Sequence, residues 1–263
     1  MEFLALTLFP ELFRPFWEIG IVGRAAEKGI IRGRAVDIRS FAAGRHKVVD
    51  DRPYGGGCGM VMQPDPLDKA LNEARARLPQ ALTVLLTPQG KRFSQQMAET
   101  LAGAAKDMIL VCGRYEGVDQ RVIDRHVDLE ISIGDYVLTG GEPAAMVVID
   151  AVTRLLPGAL GNKASAASDS FSQDLLEHAQ YTRPADWQGE AVPEVLLSGH
   201  HGQIEKWRRS HALATTLLKR PDLLRGRKLG PEEIRLLENW RIEIERILDA
   251  QPVRGPDPSP GGG

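Results

Sequence analysis

The chain has 263 residues, of which 43% are hydrophobic and 26% charged, values that exclude a wholly disordered or fibrous protein and favour two domains with packed cores. The formal net charge of -2 gives no whole-chain sign of a nucleic-acid partner, although single segments can still differ. Cys58 and Cys112 lie far apart without a CxxC partner, so we expect reduced cytoplasmic thiols and neither a disulfide framework nor a zinc site.

The N-terminal segment predicts a strand followed by a helical stretch. Glu2 to Leu8 has the pattern of a strand, and Pro10 opens a helical stretch that Gly29 can end in the left-handed conformation that glycine permits. This start lacks a basic region, and its apolar run is too short to span a bilayer. We therefore expect a soluble, cytoplasmic protein that has no membrane partner.

A glycine-rich segment, VVDDRPYGGGCGM, follows at residues 48–60. Four of the five residues at 55–59 are glycine, which is costly to order and is typical of a backbone that approaches a ligand or moves as a lid. An ordinary turn is the alternative. The segment matches neither a dinucleotide-binding fingerprint nor a P-loop.

The middle of the chain alternates helix and strand. Asp65 with Pro66 predicts a helix start. The apolar residues that follow have the spacing of one helical face: Leu67, Ala70, Leu71, Ala74 and Leu78. We then predict a strand over Leu82 to Leu86, a helix capped by Ser94 and a strand over Met108 to Val111. Such alternation is typical of an α/β fold with a mainly parallel sheet and helices on its faces.

Residues 111–141 contain the densest set of turns in the chain. Short, β-rich apolar runs break repeatedly at glycine, at Gly113, Gly117, Gly134, Gly140 and Gly141. Turns of this kind can bring backbone close to a small molecule, so we predict a cofactor site here. For any one of them, an ordinary strand-ending turn is the alternative. The missing GxGxxG pattern disfavours a Rossmann oxidoreductase.

The composition changes after a predicted buried helix at Ala144 to Leu156, which we expect Pro157 and Gly158 to end. The small, polar residues GNKASAASDSFS have the composition of a linker. Helices predicted at about 203–219 and 231–248 precede a Pro- and Gly-rich end that predicts disorder. We therefore divide the chain into a first domain at 1–160, a linker at 161–172, a helical domain at 173–248 and a tail at 249–263.

Residues 201–228 form a basic segment with eight lysines and arginines against two acidic residues, a local charge of +6. RNA would bind such a segment in a salt-dependent way, whereas a solvated helix face needs no partner. His200 and His201, at its start, could either donate to phosphate or cap the helix that follows.

Eight motifs resemble, in the same order, those of the bacterial tRNA (guanine-N1)-methyltransferases: VDDRPYGGGCGM, LTPQGKRF, CGRYEGVDQR, SIGDYVLTGGE, RLLPGALGN, ASDSF, YTRP and PEVLLSGHH. These are S-adenosylmethionine-dependent SPOUT enzymes that modify guanosine 37 beside the anticodon and support reading-frame maintenance. The resemblance covers about residues 1 to 248. It implies that the C-terminal part of the first domain forms a deep trefoil knot, which physical reasoning alone would not predict. It also implies a homodimer whose active sites lie at the subunit interface.

The resemblance implies three cofactor-binding segments in the first domain. They are Leu86, Thr87 and Pro88; Gly113, Tyr115 and Glu116; and Ser132, Ile133, Gly134, Asp135, Tyr136, Val137, Leu138, Gly140 and Gly141. Plain core packing is the alternative for the apolar members. Glu116 could either orient the methionine part of the cofactor or help to hold Mg²⁺, which the family is thought to require. For tRNA, the resemblance implies a guanine pocket shaped by Asp50, Arg52 and Tyr54, and contacts to the anticodon stem-loop from His200, Lys206, Arg208 and Arg209.

Methyl transfer to N1 of guanine needs a general base, because this nitrogen carries a proton near neutral pH. The resemblance implies Asp169, contributed by the partner subunit, as the base, and Arg154 as the residue that stabilises charge at guanine O6. A solvated linker charge and a snorkelling arginine are the alternatives. Two other functions stay open: a SPOUT methyltransferase for ribose or another base, and a non-catalytic RNA-binding relative.

Overall fold

The computed structural model describes residues 1–161, 169–171 and 175–251. The chain divides into two compact units, Met1–Ala167 and Ser168–Gly263. Most of the predicted linker at 161–172 lies outside the described residues. So do residues 252–263 of the tail that was predicted at 249–263.

The first unit is built around a parallel sheet. Its strands are β1 (Glu2–Thr7), β2 (Arg32–Asp37), β3 (Asp50–Asp51), β4 (Val61–Met62), β5 (Leu82–Arg92), β6 (Met108–Cys112) and β7 (Leu129–Ser132). Five of them form one sheet in the order β2-β1-β6-β5-β7, and each neighbouring pair in it is parallel. β3 and β4 make a separate antiparallel pair. The predicted α/β fold with a mainly parallel sheet is confirmed.

Helices cover both faces of this sheet. They are α1 (Arg14–Glu18), α2 (Gly20–Glu27), α3 (Pro64–Arg77), α4 (Gln95–Ala104), α5 (Gln120–His126) and α6 (Glu142–Thr153). Successive residues of β1 point to opposite faces, so Phe3 packs in the core with α2, α4 and α6, while Leu4 packs in the core with α3. Because both faces are covered, the central strands β1 and β6 are buried almost throughout and do not alternate, whereas the edge strand β2 is partly exposed.

Several boundaries differ from the sequence prediction. The stretch from Pro10 to Gly29 is not one helix: a 3-10 turn, α1 and α2 follow each other, and Gly20 breaks the path at a φ of 68°. Gly29 does end it in the left-handed region, at a φ of 70°. The helix predicted to start at Asp65 begins at Pro64 instead.

Two further predictions for the first unit need correction. α5 was not predicted, because residues 111–141 were interpreted only as strands and turns. α6 is not buried all round, since the side chain of Val147 is 46% exposed. It spans Glu142–Thr153, with Arg154 at the C-cap position, whereas the predicted helix ran from Ala144 to Leu156.

The second unit is mainly helical among its described residues. Its elements are β8 (Asp186–Trp187), β9 (Glu190–Ala191), α7 (Glu194–Leu197), α8 (His201–Lys219), α9 (Pro221–Arg225) and α10 (Pro231–Asp249). The two predicted helices at about 203–219 and 231–248 correspond to α8 and α10. Across the described part of both units, no helix combines the length and the apolar character that crossing a bilayer requires.

Candidate active site

A cavity of about 310 Å³ lies where β6 and β7 end and where β5 is interrupted. This is the lower end of the size range of small-molecule pockets, and the carboxyl ends of parallel strands are where open α/β sheets bind ligands. Every expected cofactor-binding residue except Asp135 lines this cavity. The structure therefore brings together three segments that are far apart in the chain.

Other lining residues were not among the cofactor-binding residues that the family resemblance implied. They are Leu85, Gln89, Arg114, Gly117, Val118, Gln120, Ile123, Ile131, Thr139 and Ala144. Most of them flank the predicted residues within the same motifs. Ile123 lies on α5, the helix that the sequence analysis missed.

The first wall of the cavity is an interruption of β5. Leu86 and Lys91 both pair with Ile131 of β7, so the intervening residues TPQG leave the ladder and place Thr87 and Pro88 at the cavity. The ladder can resume only because residue 90 is glycine: a Cβ atom on Gly90 would lie 2.4 Å from the backbone nitrogen of Ile131. Gly90 was missed in the sequence, although a glycine in a strand pattern is a signal of a bulge.

The second wall is the turn between β6 and α5. Tyr115 adopts a left-handed φ of 61° and Gly117 a φ of 131°, and the backbone N–H of Gly117 donates to the carbonyl of Arg114 at 3.1 Å. Asp119 ends the turn as the N-cap of α5, where its carboxylate accepts from the backbone N–H of Arg121 at 3.0 Å. The side chain of Arg121 also donates to this carboxylate, which lowers the pKa of Asp119 and keeps it ionised.

The third wall follows β7 and packs directly against the second. The N–H of Gly141 donates to the carbonyl of Gly113 at 2.9 Å, and a Cβ atom on Gly141 would lie 2.8 Å from the Cα of Cys112. Gly134 leaves room for the ring of Tyr136 in a similar way: a Cβ atom on Gly134 would lie 2.4 Å from the nearest ring atom. These glycines let the chain approach itself, and this close approach forms the cavity.

The glycine-rich segment is tied to the second wall through β4. Glu116 N–H donates to the carbonyl of Met60 at 2.9 Å, and Met62 N–H donates to the carbonyl of Gly117 at 2.9 Å. A Cβ atom on Gly59 would lie 2.2 Å from Oε1 of Glu116, so glycine there leaves room for the carboxylate. The segment that carries the expected guanine-pocket residues is thus fixed beside the cavity.

The expected guanine-pocket residues themselves do not line the cavity. Asp50 belongs to β3, Arg52 follows that strand, and Tyr54 is 99% exposed. Gly55, Gly56 and Gly57 all have positive φ values, of 83°, 79° and 125°. The segment is therefore a turn that glycine alone adopts easily, and it presents Tyr54 to solvent.

The two expected catalytic residues lie in different units. Arg154 is half-buried at the C-cap of α6 in the first unit, where its N–H donates to the carbonyl of Asp150 at 3.1 Å. Asp169 is half-buried and belongs to the second unit. Neither is among the residues that line the cavity.

Part of the basic segment is already paired within the second unit. Arg209 donates to Glu232 at 2.8 Å, and Arg220 donates to Asp222 at 2.6 Å. Lys206 and Arg208 are exposed on α8. His200 occupies the N-cap of α8, but its side chain makes no capping hydrogen bond to the described helix, so that alternative is wrong for His200.

The described residues offer no cluster of three or more His, Cys, Asp or Glu side chains that could hold a metal ion. Glu116 is an exposed carboxylate at the edge of the cavity. Cys112 is the last residue of β6, and burial together with the nearby carboxylate of Glu142 raises the pKa of its thiol. The thiol therefore stays protonated and does not act as a thiolate.

Comparisons with known proteins agree on one family. A family model described as tRNA (Guanine-1)-methyltransferase TrmD matches residues 1–226. The chain is similar to the tRNA (guanine-N(1)-)-methyltransferase of Desulfatibacillum aliphaticivorans, with 54% identity over 98% of both chains. It is also similar to the proteins of the same name from Desulforudis audaxviator, at 54% identity over 92% of this chain and 97% of the relative, and from Halalkalibacterium halodurans, at 52% over 92% and 98%.

Proposed function

The chain belongs to the tRNA (guanine-1)-methyltransferase family and is a methyltransferase, and we propose that it transfers the methyl group of S-adenosylmethionine to N1 of guanosine 37 in tRNA. The observation that carries the proposal is the single cavity formed by LTPQG, CGRYEG and SIGDYVLTGG, three motifs that the family resemblance marks as cofactor-binding. Methylation beside the anticodon would support reading-frame maintenance.

The cavity suits an adenosine-containing methyl donor. Leu86, Ile133 and Leu138 would supply apolar surface for an adenine ring, and backbone N–H and C=O groups of the turns on all three sides would read its edge. When bound, S-adenosylmethionine supplies a methyl group activated on a sulfonium. Glu116, at the cavity edge, would orient the charged amino-acid part of the donor.

Two side chains would carry the chemistry on guanine. Asp169 would accept the proton from N1, which frees the lone pair that bonds to the methyl carbon. The negative charge that develops toward guanine O6 would be stabilised by the guanidinium of Arg154, more strongly in the transition state than in the ground state. Following the family resemblance, we propose that Asp169 comes from the partner subunit of a homodimer.

The tRNA would be held by two regions. Asp50, Arg52 and Tyr54, fixed beside the cavity, would receive guanosine 37, whose extraction is least costly in a single-stranded loop. The exposed Lys206 and Arg208 of α8, with His200 at its start, would contact phosphates of the anticodon stem, which position the RNA and do not read its sequence. Arg209 is held by Glu232, so its contribution would require exchange of that partner.

The rest of the family architecture belongs to the same proposal. It comprises a trefoil-knotted methyltransferase domain at residues 1–160, a linker at 161–172 that carries Asp169, and a helical tRNA-binding domain at 173–248. The proposal also includes Mg²⁺, with Glu116 as its candidate protein ligand in place of the role in orienting the methyl donor. Removal of Mg²⁺ with a chelator should then stop methyl transfer, and added Mg²⁺ should restore it.

A direct assay tests the function. The protein is incubated with labelled S-adenosylmethionine, Mg²⁺ and an unmodified tRNA that carries guanosine at positions 36 and 37, and the methylated position is mapped by arrest of primer extension. We expect arrest at guanosine 37 and none in the matched tRNA that carries adenosine there. Label on ribose or on another base would instead identify a different RNA methyltransferase, and binding of tRNA without transfer would identify a non-catalytic relative.

A further inference from the structure

Glu142, the last residue of SIGDYVLTGGE, is a carboxylate sealed inside the first unit. Its side chain is 0% exposed, although it opens α6 directly after the third wall of the cavity. A carboxylate is almost never fully buried unless charged or hydrogen-bonding partners compensate for the lost water. Its partners therefore show which parts of the structure it holds.

Two side chains donate to this carboxylate. Thr7, at the end of β1, donates from Oγ1 to Oε1 at 2.7 Å. Arg114 donates from Nε to Oε2 at 3.1 Å and lies within 3.0 Å of the same oxygen through Nη2. The guanidinium also lies 4.3 Å above the ring of Phe9, and its side chain is only 20% exposed. The ion pair between Glu142 and Arg114 is therefore largely buried, and Thr7 and Phe9 contact it from two further sides.

The pair sits where the second and third walls meet. Arg114 lines the cavity and forms an isolated antiparallel bridge with Gly140. A Cβ atom on Gly140 would lie 2.3 Å from Nε of Arg114, so the guanidinium fills the space that glycine leaves. On the backbone, the same junction is closed by the hydrogen bond from Gly141 to Gly113. The ion pair thus supplies the side-chain half of the junction between two cavity walls.

We propose that Glu142 is a positioning residue for the methyl donor: through Arg114 it holds the second and third walls in the arrangement that binds S-adenosylmethionine, and Thr7 orients its carboxylate. Removing one member of a buried pair leaves the other charge without compensation, so the junction would open to admit water. The walls would then have to be ordered again at each binding event, which weakens binding. The inference rests on the proposed function.

The test compares binding of S-adenosylmethionine by calorimetry in folded variants. Glu142→Gln should weaken binding by about tenfold or more, because the neutral amide no longer balances the charge of Arg114 and has one acceptor oxygen where the carboxylate has two. kcat at saturating methyl donor should change much less than the affinity, since the residue does not touch the reacting atoms. Circular dichroism would establish that each variant is folded.

Thr7 provides a matched pair of milder variants. Thr7→Val keeps the shape but removes the hydroxyl, and should weaken binding by about threefold to tenfold. Thr7→Ser loses a methyl group but keeps the donor, and should bind nearly as the unaltered protein does. As a control for buried ion pairs in general, Glu233→Gln breaks the pair with Arg227 in the second unit and should lower stability without changing affinity for the donor.

The outcomes separate this inference from the proposed function. If the unaltered protein does not bind S-adenosylmethionine, the proposed function is wrong, and this inference falls with it. If it binds but folded Glu142→Gln binds equally well, or if Thr7→Ser weakens binding as much as Thr7→Val does, only the positioning role is overturned. Should Glu142→Gln fail to fold, the two Thr7 variants decide the question.

Discussion

Glycines around the cavity differ in what a side chain would cost. At Gly90 and Gly141 a Cβ atom would lie within 3 Å of backbone, which cannot move without opening the sheet or the wall. At Gly55 and Gly56 nothing described lies within 4 Å, but the positive φ values are unfavourable for other residues. Gly90 and Gly141 thus allow two backbone segments to touch, whereas Gly55 and Gly56 only set the direction of a turn.

Gly141→Ala should therefore lower both stability and affinity for the methyl donor. The added methyl group would collide with the Cα of Cys112 and separate the second and third walls, at a cost of about 1–3 kcal/mol in unfolding free energy. Gly103→Ala is the matched control: it lies in α4, and no described atom outside its own helix lies within 4 Å of its Cβ position. It should stabilise the protein by about 0.5 kcal/mol. Urea unfolding and calorimetric titration would measure both variants, and equal behaviour would contradict the distinction.

Asp169→Asn should separate binding from chemistry. The amide cannot take a proton from guanine N1, so methyl transfer should fall by about 10²–10⁴-fold while binding of S-adenosylmethionine stays the same. Single-turnover transfer to saturating tRNA would measure the chemical step. Asp186→Asn, an exposed aspartate in β8 of the same unit, should leave that rate unchanged. Transfer by Asp169→Asn near the unaltered rate would show that another group is the base.

Helices and strands could be predicted where the sequence signal comes from a few neighbouring residues. Ser94 was predicted as a helix cap, and its Oγ accepts from the backbone N–H of Met97 at 3.3 Å. α5 was missed because seven residues are too short to show a helical period, although Asp119 before it is an N-cap signal. The resumption of β5 at Lys91 depends on the approach of Gly90 to β7, which lies about 40 residues further along the chain. Gly90 is itself a signal of a bulge, but no pattern within β5 identifies β7 as the strand that it approaches.

Ser94→Ala should weaken α4 without affecting the cavity. Loss of the hydroxyl leaves the N–H of Met97 without its capping partner, which should lower the unfolding free energy by about 0.5–1 kcal/mol. Because Ser94 is not a lining residue, affinity for the methyl donor should not change. Ser94→Asp retains a capping oxygen and should recover the stability. A loss of stability in both variants alike would mean that Ser94 acts through something other than capping.

At the scale of the whole molecule, the cavity depends on strand order. β5, β6 and β7 lie side by side, so the interruption of β5 and the segments that follow β6 and β7 meet at one edge although they are distant in sequence. Periodicity indicates strands but not their order, and this is why the residues that form the walls came from the family resemblance. Asp135 belongs to a correctly assigned motif, and its neighbours on both sides line the cavity, but Asp135 itself does not.

The proposed homodimer can be tested by asking whether one active site combines residues of two subunits. If the cavity of one protomer works with Asp169 of the other, a heterodimer of Gly141→Ala and Asp169→Asn contains one intact site and one doubly impaired site. Two affinity tags used in sequence would isolate this heterodimer. At a methyl-donor concentration that saturates the unaltered site but not the Gly141→Ala site, it should show about half the activity of a tagged heterodimer of unaltered chains, although each variant alone is much less active. If cavity and base instead belonged to the same protomer, each site of the heterodimer would carry one defect. Activity would then stay at the level of the separate variants, and the composite site would be excluded.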